Sequence, residues 1–348
     1  MKLHWTKAVR RVLALAVAAL LAAVPAMAAE DFRSAQAISN FSEDLAAFQD
    51  ASGLWGYLNR QGEVVIEPAW DYAGDFCEGR ARVRGDNQQY GYIDAEGNVA
   101  VAPLFTASTD FDNGVACVQW DGAYSYIDED GVGILDGKWA DAGNFSEGLA
   151  YAKIDGSYGY IDESGQTAIA PRWDRGRSFS EGCAAVRAGD LWGFIDKSGS
   201  VVVEPQYDDA VRFKDSLAAV EKDELKGYID ASGNVVIPLQ YEVAGAFEQG
   251  RAWAKLDGEY RMIDKTGAEI GANRCDNVFS ECAFTDLCRV CRGGLWGYVN
   301  LNDEIVLNPV YEKATRFSDG LAAVKKNGVW YFIDEKGTDV LSGENTQA

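Results

Sequence analysis

One stretch of the sequence decides the fold, because versions of it recur along most of the chain. Residues 179–212 read FSEGCAAVRAGDLWGFIDKSGSVVVEPQYDDAVR. The aromatic-Ile-Asp step at the centre of this stretch belongs to a series of nine, spaced 34 to 36 residues apart: Tyr57-Leu58-Asn59, Tyr92-Ile93-Asp94, Tyr126-Ile127-Asp128, Tyr160-Ile161-Asp162, Phe194-Ile195-Asp196, Tyr228-Ile229-Asp230, Met262-Ile263-Asp264, Tyr298-Val299-Asn300 and Phe332-Ile333-Asp334. A fixed period of this size indicates one supersecondary unit copied many times, each copy burying its apolar face against its neighbours.

Each copy reads as three short strands separated by turns. In residues 179–212 the first two strands, Ala184 to Arg187 and Leu191 to Asp196, flank a Gly-Asp turn. Asp196 and Gly199 form a second hairpin turn, in which Asp accepts backbone N–H groups and Gly takes the left-handed conformation. The third strand starts at Ser200, and Pro205 predicts its end because proline cannot donate to a ladder. No helical periodicity appears after residue 28, so the pattern predicts an all-β protein.

Nine such units can close into a β-propeller-like ring or stack as an open β-solenoid. Nine exceeds the usual roughly four to eight blades, and 34 residues is short against a common blade of about 40–45. However, the ninth unit stops after its third strand at Leu341, and Ser34 to Asn40 resembles the missing segment. We therefore predict a tandem array of three-stranded units over residues 41–341, with the ring favoured over the solenoid. Residues 29–40 are expected to complete the last repeat, and residues 342–348 to form a polar tail.

The first 28 residues have the pattern of a cleavable signal peptide. Basic residues precede an apolar run from Val12 to Val24, and Ala26-Met27-Ala28 supplies a small-x-small cleavage site. A retained membrane anchor is the alternative, but the run is short for a span of about 20 residues. We expect a secreted, periplasmic or cell-envelope protein without stable membrane insertion after cleavage.

Charge and histidine content exclude several classes of function. The formal net charge of −22 repels nucleic acid, so no nucleic-acid partner is expected. The single histidine, His4, lies in the predicted signal peptide, which leaves the mature chain without histidine-based nucleophilic catalysis or histidine metal ligands. We expect no cofactor, no metal site and no catalytic residues.

Several copies carry a motif that resembles a known family. Trp55-Gly56, Trp192-Gly193 and Trp296-Gly297 lead into the aromatic-Ile-Asp step, and Phe145-Ser146-Glu147-Gly148 and Phe317-Ser318-Asp319-Gly320 precede other copies. This pattern resembles the WG-repeat family of bacterial exported proteins over about residues 41–341. The resemblance implies β-rich repeats without an established enzymatic activity, and it supplies no catalytic residue. The glycine of this pair is replaced in three units, which read Tyr124-Ser125, Tyr260-Arg261 and Trp330-Tyr331.

Two groups of residues stand outside the repeat pattern. Trp120, Trp139 and Trp253 are candidates for ligand binding, because the repeat does not assign them a packing role. Cys275, Cys282, Cys288 and Cys291 cluster at the irregular junction before the eighth unit. In an exported chain such a cluster predicts disulfides, with zinc binding by Cys288 and Cys291 as the alternative.

The functional hypothesis is a non-catalytic exported binding module for a protein or a cell-envelope glycan. Repeat arrays present broad surfaces suited to such partners. The alternatives are a glycan hydrolase that uses two carboxylates, and a structural component of the cell envelope.

Overall fold

The computed structural model describes residues 32–278 and 287–347, and the predicted signal peptide lies outside them. Over these residues the chain forms one 3-10 helix, Phe32–Ser34, and 33 strands in nine antiparallel sheets, with no α-helix. The sheets are arranged as a nine-bladed β-propeller. The prediction of an all-β array closed into a ring is therefore confirmed, and the open solenoid is excluded.

Six blades have four strands each, connected in sequence order. They are blade one (β1 Ala37–Ser42, β2 Leu45–Gln49, β3 Trp55–Asn59, β4 Val64–Trp70), blade two (β5 Tyr72–Cys77, β6 Arg80–Arg84, β7 Tyr90–Ile93, β8 Val99–Phe105), blade five (β15 Arg175–Gly176, β16 Cys183–Ala188, β17 Leu191–Asp196, β18 Val201–Tyr207), blade six (β19 Asp209–Ala210, β20 Ala218–Lys222, β21 Leu225–Ile229, β22 Val235–Tyr241), blade seven (β23 Val243–Ala244, β24 Arg251–Leu256, β25 Glu259–Asp264, β26 Glu269–Cys275) and blade eight (β27 Asn277–Val278, β28 Leu287–Arg292, β29 Leu295–Asn300, β30 Ile305–Tyr311).

The other three blades have three regular strands each. They are blade three (β9 Ala107–Ser108, β10 Ala116–Trp120, β11 Ala123–Ile127), blade four (β12 Leu149–Ile154, β13 Ser157–Asp162, β14 Thr167–Trp173) and blade nine (β31 Lys313–Ala314, β32 Ala322–Lys326, β33 Val329–Ile333).

A blade begins one short strand earlier than the unit read from the sequence. The segment after the proline in unit five, expected as a connection, contains β19 (Asp209–Ala210), which is the first strand of blade six. This first strand is innermost. Arg316 of blade nine lies 4.0 Å from Asp75 of blade two, and blades separated by a whole blade can meet only near the axis.

The prolines do not end the strands, so that expectation is wrong. Pro205 lies inside β18, which continues to Tyr207, and the prolines of β4, β8, β14, β22 and β30 are placed likewise. The fourth strand is the outer edge of each blade, where one side of the ladder has no partner. Proline is tolerated at such an edge because its missing N–H removes no ladder bond.

The glycine of the Trp-Gly pair is required by a close backbone approach. Between Trp192 and Phe194 the pairing of β17 with β18 shifts register, which brings the outer strand over the intervening glycine. At the equivalent Gly227, a Cβ atom would lie 2.6 Å from the carbonyl oxygen of Ile237. Any side chain larger than hydrogen would therefore displace the outer strand.

Units that lack this glycine have altered outer strands. In blade three, where Ser125 replaces it, the outer strand is reduced to the isolated bridges Tyr124↔Trp139 and Ile127↔Gly133. In blade seven, where Arg261 replaces it, Met262 pairs with Ile270, eight residues along, whereas Tyr57 of blade one pairs with Ile66, nine along.

Blades seven and eight carry two complementary departures from the repeat, a larger residue in one and a smaller residue in the other. Asp303 takes the place of the turn glycine with φ of 62°, and its side chain is buried. It lies over Gly271, which stands where the other outer strands carry Ile, Val or Leu. The Asp303 carboxylate accepts a hydrogen bond from the Asn273 backbone N–H at 2.7 Å. A larger residue in blade eight is thus accommodated by a smaller one in blade seven.

In eight of the nine units a central aromatic residue joins its blade to the next, and unit seven has Met262 at this position. The Tyr228 hydroxyl donates to the Gly245 carbonyl oxygen at 2.8 Å, and the ring packs on Phe247 with centroids 4.7 Å apart. The same hydroxyl bond, seventeen residues along the chain, is made by Tyr57, Tyr92, Tyr126, Tyr160 and Tyr298. Burial raises the pKa of these hydroxyls well above the ordinary value, so they stay protonated as donors.

The ring closes with the contact used between its internal blades. Phe332 of blade nine packs on Phe41 of blade one with centroids 4.9 Å apart, as Tyr57 packs on Phe76. The Trp330 indole N–H donates to the Ala35 carbonyl oxygen at 2.8 Å. The ends of the chain therefore hold the first and last blades together.

The N-terminal segment lies against blade nine, and the C-terminal segment contacts blades eight and nine, where the Thr346 hydroxyl donates to the Gly337 carbonyl oxygen at 2.7 Å. Phe32 stacks on Phe332 at 4.6 Å, while β1 pairs with β2 of blade one, so residues 32–40 contact the last blade and start the first. At the other end the Thr346 hydroxyl is buried against the Tyr311 hydroxyl at 2.7 Å. The boundaries predicted at residues 28, 40 and 341 stay predictions.

We expect Gly227→Ala to destabilise the protein by about 1–3 kcal/mol, the usual cost of overpacking. The new methyl group would press on the Ile237 carbonyl group of β22. Urea unfolding followed by tryptophan fluorescence measures the change. Gly133→Ala is the matched control, since nothing lies within 4 Å of a Cβ there. Equal stability of the two variants would contradict this account of the Trp-Gly pair.

A second prediction concerns the loss of stability at acidic pH. The Asp339 side chain is fully buried, and the Arg33 guanidinium contacts it at 2.9 Å. Burial alone would raise the pKa of Asp339, but hydrogen bonds from Ser342 and Arg33 outweigh burial and lower it. A lowered carboxyl pKa contributes stability at neutral pH that is lost as pH falls through the folded-state value.

We therefore expect Arg33→Met to cost about 2 kcal/mol at pH 7, below the roughly 3–5 kcal/mol for a fully buried pair because Arg33 is partly exposed. The deficit should shrink as pH falls from the ordinary carboxyl value of about 4 towards the lowered folded-state pKa of Asp339, where the wild-type carboxylate becomes protonated. Urea unfolding at pH 7 and pH 3 measures it. Lys197→Met, which breaks an exposed pair with Glu147, is the control. A deficit independent of pH would show that the pair does not act through this carboxylate.

Candidate functional site

The three candidate tryptophans lie in different environments. Trp139 is buried against Tyr126, and Trp253 is buried between blades seven and eight beside Met262. Trp120, at the end of β10, is 38% exposed, and the Lys138 ammonium lies 6.0 Å from its ring centroid. The structure does not bring the three together. A shared ligand-binding role for them stays a prediction, and only Trp120 offers a ring to solvent.

The cysteine cluster is partly described. Cys275 and Cys291 lie in β26 and β28 with free thiols, and Cys282 lies outside the described residues together with any bond that it forms. Cys288 is buried in β28. The structure thus shows no disulfide at Cys275 or Cys291, and disulfide formation in the cluster stays a prediction. Among the described residues no group of three or more Cys, Asp, Glu or His side chains could hold a metal ion.

One position of the repeat varies strongly although its surroundings are constant. It is the residue of the second strand that pairs with the central aromatic residue. Small alanines occupy it in blades one, five, six and nine, and larger residues elsewhere: Ala47, Ala185, Ala219 and Ala323 against Arg82, Cys117, Tyr151, Trp253 and Arg289. Packing requires only a small residue here, so the larger ones need another explanation.

A second variable position lies near the axis. It is the residue directly before the phenylalanine that starts each unit, and we call this set the axial ring. Its members are Asn40, Asp75, Asp110, Asn144, Ser178, Arg212, Ala246 and Arg316, and the counterpart in blade eight lies outside the described residues. Amides and carboxylates come from blades one to four, and arginines from blades six and nine. The axial ring therefore carries both acidic and basic side chains, and Arg316 and Asp75 pair within it at 4.0 Å.

Buried side-chain polar atoms without hydrogen-bond partners occur in most blades of the described chain, and those in the axial ring include Asp110 Oδ1 and Asn144 Oδ1. Others in blades two and three are Arg82 Nε and Ser108 Oγ. Arg82 Nε and Asp110 Oδ1 are 3.2 Å apart, an ion pair whose angle does not allow a hydrogen bond. Buried polar atoms are normally satisfied, and each exception needs an explanation such as a bound molecule.

The surroundings of one carboxyl group in the axial ring raise its pKa. Burial raises the pKa of Asp75, the nearby Asp110 carboxylate also raises it, and hydrogen bonds from Ser39 and Asn40 together with Arg316 oppose the shift. The Arg82 guanidinium lies 5.5 Å from the ring centroids of Tyr72 and Tyr90, and it donates to the Tyr72 hydroxyl. The arrangement presents fixed donors and acceptors to a polar ligand.

An open pocket adjoins the axial ring where the chain closes on itself. It has a volume of about 330 Å³ and lies between blades eight, nine and one. Its polar and aromatic lining residues are Ser39, Asn40, Arg289, Trp296, Lys313, Thr315 and Trp330. We call it the ring-closure pocket.

Sequence reasoning missed both the axial ring and this pocket. The sequence does contain one indication of the axial ring: the residue before each starting phenylalanine differs in type from unit to unit. The pocket has no such indication, because it exists only where blade nine meets blade one.

The structure and the repeats define the class of this protein as a repeat β-propeller with a variable axial surface. The chain belongs to the WG containing repeat family, whose model matches residues 55–87, 90–122, 124–158, 158–192, 192–225, 227–260 and 296–330. None of the curated proteins matches the sequence.

Solved structures resemble it in fold. The crystal structure of the eukaryotic initiation factor has a TM-score of 0.56 and 10% identity, covering 81% of this chain and 88% of that one. BamB from Moraxella catarrhalis has a TM-score of 0.47 and 13% identity, covering 84% and 92%. At such identities the first likeness shows the propeller fold alone. In the described part of the chain no helix has the length and apolar character needed to span a bilayer.

We expect the thiols of Cys117 and Cys275 to react slowly in the native protein. Burial raises the pKa of Cys117 to about 12 and that of Cys275 to about 11, so little thiolate exists at pH 8. Ellman titration at pH 8, with and without urea, measures this. Rapid reaction of both in the folded state, followed by mass spectrometry, would contradict their burial.

Proposed function

We propose that this chain is a non-catalytic exported binding module that holds a protein or a cell-envelope glycan at the axial end of the propeller. One observation carries the proposal: the repeat varies at the positions that face the axis, while the residues joining the blades are nearly constant. The charged pair Arg82–Asp110 and the amide of Asn144 stand at these variable positions, where packing between blades does not require a polar side chain.

The export component of the proposal rests on the signal-peptide pattern of residues 1–28. A strongly acidic chain without histidine after residue 28 fits an extracytoplasmic binding protein better than an enzyme with a histidine base. Cell fractionation, with Edman sequencing of the mature N-terminus, checks localisation. Recovery of the uncleaved chain in the cytoplasm would refute it.

Binding is tested with residues 29–348 against purified envelope proteins and polysaccharides. Asp110→Asn removes one of the two axial carboxylates, and we expect it to weaken saturable binding at least tenfold, because a charged partner paired with Arg82 is lost. Asp190→Asn, in the exposed hairpin between β16 and β17, is the matched control and should bind as wild type. Equal binding by both variants, or no saturable binding to either class of partner, would refute an axial binding site.

One observation favours testing the alternative function, a glycan hydrolase, alongside binding. Asp75 has a raised pKa and a second carboxylate, Asp110, in the same ring, which are properties of a carboxylate pair that cleaves glycosides. The same polysaccharides are therefore assayed for new reducing ends, with Asp75→Asn as the comparison. Turnover that Asp75→Asn abolishes would replace the binding-module proposal by the hydrolase. Binding without turnover supports the module.

A further inference from the structure

We propose that the ring-closure pocket binds one acidic sugar residue, of the uronic-acid class, at the end of or within a glycan chain. This inference rests on the proposed binding-module function and names the chemistry of one subsite. It uses the aromatic and cationic lining of the pocket, which the axial carboxylates do not share.

The charge of the pocket is opposite to that of the chain. Arg289 and Lys313 line it, and none of its ten lining residues is acidic, although the net charge of the chain is −22. An anion in this pocket therefore meets two cations in a molecule that otherwise repels it. A carboxylate is the natural partner, because charge-assisted hydrogen bonds from guanidinium and ammonium groups are stronger than neutral ones.

The two cations are held in place before any ligand binds. Arg289 donates to the Ala314 carbonyl oxygen at 2.8 Å, and Lys313 donates to the Gln36 carbonyl oxygen at 3.2 Å. Arg289 also occupies the position that is alanine in four other blades. Packing needs no cation there, and a fixed guanidinium loses little freedom when a ligand arrives.

The aromatic lining favours a sugar ring over a simple anion. Trp296 and Trp330 both line the pocket, but Trp330 is buried and fixed by its hydrogen bond to Ala35, so the half-buried Trp296 supplies the accessible indole. The faces of indole rings carry negative charge density, which attracts the C–H groups on the face of a pyranose. In a uronic acid the carboxylate can pair with the two cations while the face of the same sugar ring packs on an indole.

The size of the pocket limits the ligand to a small group. About 330 Å³ lies at the low end of the roughly 300–1,000 Å³ found for small-molecule sites. One or two sugar rings fit in this volume, whereas a folded partner would have to insert a single side chain. The site is also unique in the ring, since only here does a tryptophan of the last blade meet the first strand of the first blade.

The test is isothermal titration of residues 29–348 with digalacturonic acid, and with lactose as a neutral disaccharide. We expect saturable binding of the acidic disaccharide, at least tenfold tighter than of lactose, and weaker in 0.5 M NaCl because the pair is partly screened. Lys313→Glu should reduce the affinity at least tenfold. Lys313 is exposed, so the fold should be kept, and urea unfolding checks this.

Two further variants locate the site. Lys336→Glu makes the same charge change in the hairpin turn of blade nine and should bind as wild type. Arg289→Met keeps the length of the side chain and should weaken binding of the acidic disaccharide but not of lactose. Equal effects of Lys313→Glu and Lys336→Glu would show that only net charge matters and would overturn the site.

The controls separate this inference from the proposed function. Acetate binding as tightly as digalacturonic acid, or no binding of the disaccharide, overturns the acidic-sugar subsite. If a larger partner then still binds and Asp110→Asn still weakens it, the binding-module proposal stands. If no envelope protein or glycan binds at all, the proposed function itself fails.

Discussion

The whole ring depends on the contact made by the central aromatic residue that eight of its nine units carry. Its hydroxyl group donates to a carbonyl oxygen seventeen residues later, and its ring packs on the phenylalanine that starts the next unit. Both partners belong to the neighbouring blade, so no blade satisfies its own buried groups. The stability of such an array is therefore a sum of interfaces rather than of independent sheets. Phe194 and Phe332 lack the hydroxyl but keep the ring contact, which shows that packing is the indispensable part.

The serine and the acidic residue that follow the starting phenylalanine of a unit add further hydrogen bonds between neighbouring blades. Ser180 donates to the Phe213 carbonyl oxygen at 2.7 Å, and Glu181 accepts from the Ser216 backbone N–H at 2.8 Å. Glu147 makes the corresponding contact with Gly182, and hydrogen bonds from Lys197 and Gly182 lower its pKa despite the opposing effect of burial. These acidic side chains thus form hydrogen bonds between blades. The axial residues take no part in those bonds and can vary.

The fold was predictable from the sequence because the period itself is the evidence. Repeated aromatic, turn and Trp-Gly positions identify strands and hairpins, and Asp196 does accept the backbone N–H groups of its turn. The first strand was not predictable, because Asp209–Ala210 forms a strand through contacts in the next blade and not through local propensity. The predicted strand end at Pro205 was wrong because it also depended on tertiary structure. Proline is tolerated inside this strand since the strand is the outer edge of its blade.

The candidate site was less accessible to sequence reasoning. The divergence before each starting phenylalanine is visible in the sequence, but only the ring brings Asp75 and Arg316 within 4.0 Å. The ring-closure pocket required the two ends of the chain to meet, which no local pattern encodes. The three tryptophans were chosen because they break the repeat, and Trp139 and Trp253 are buried all the same.

The exchange between Gly271 and Asp303 has a consequence for the history of the array. An aspartate side chain fits only over a glycine, and a glycine in an outer strand leaves a gap under any ordinary turn. Blades seven and eight have therefore become a matched pair that can be copied, moved or lost only together. Between other neighbours, where a turn glycine meets Ile66 or Val203, a single unit could be duplicated without a clash. Copying or losing blade seven or blade eight alone would therefore leave a clash or a gap at this junction.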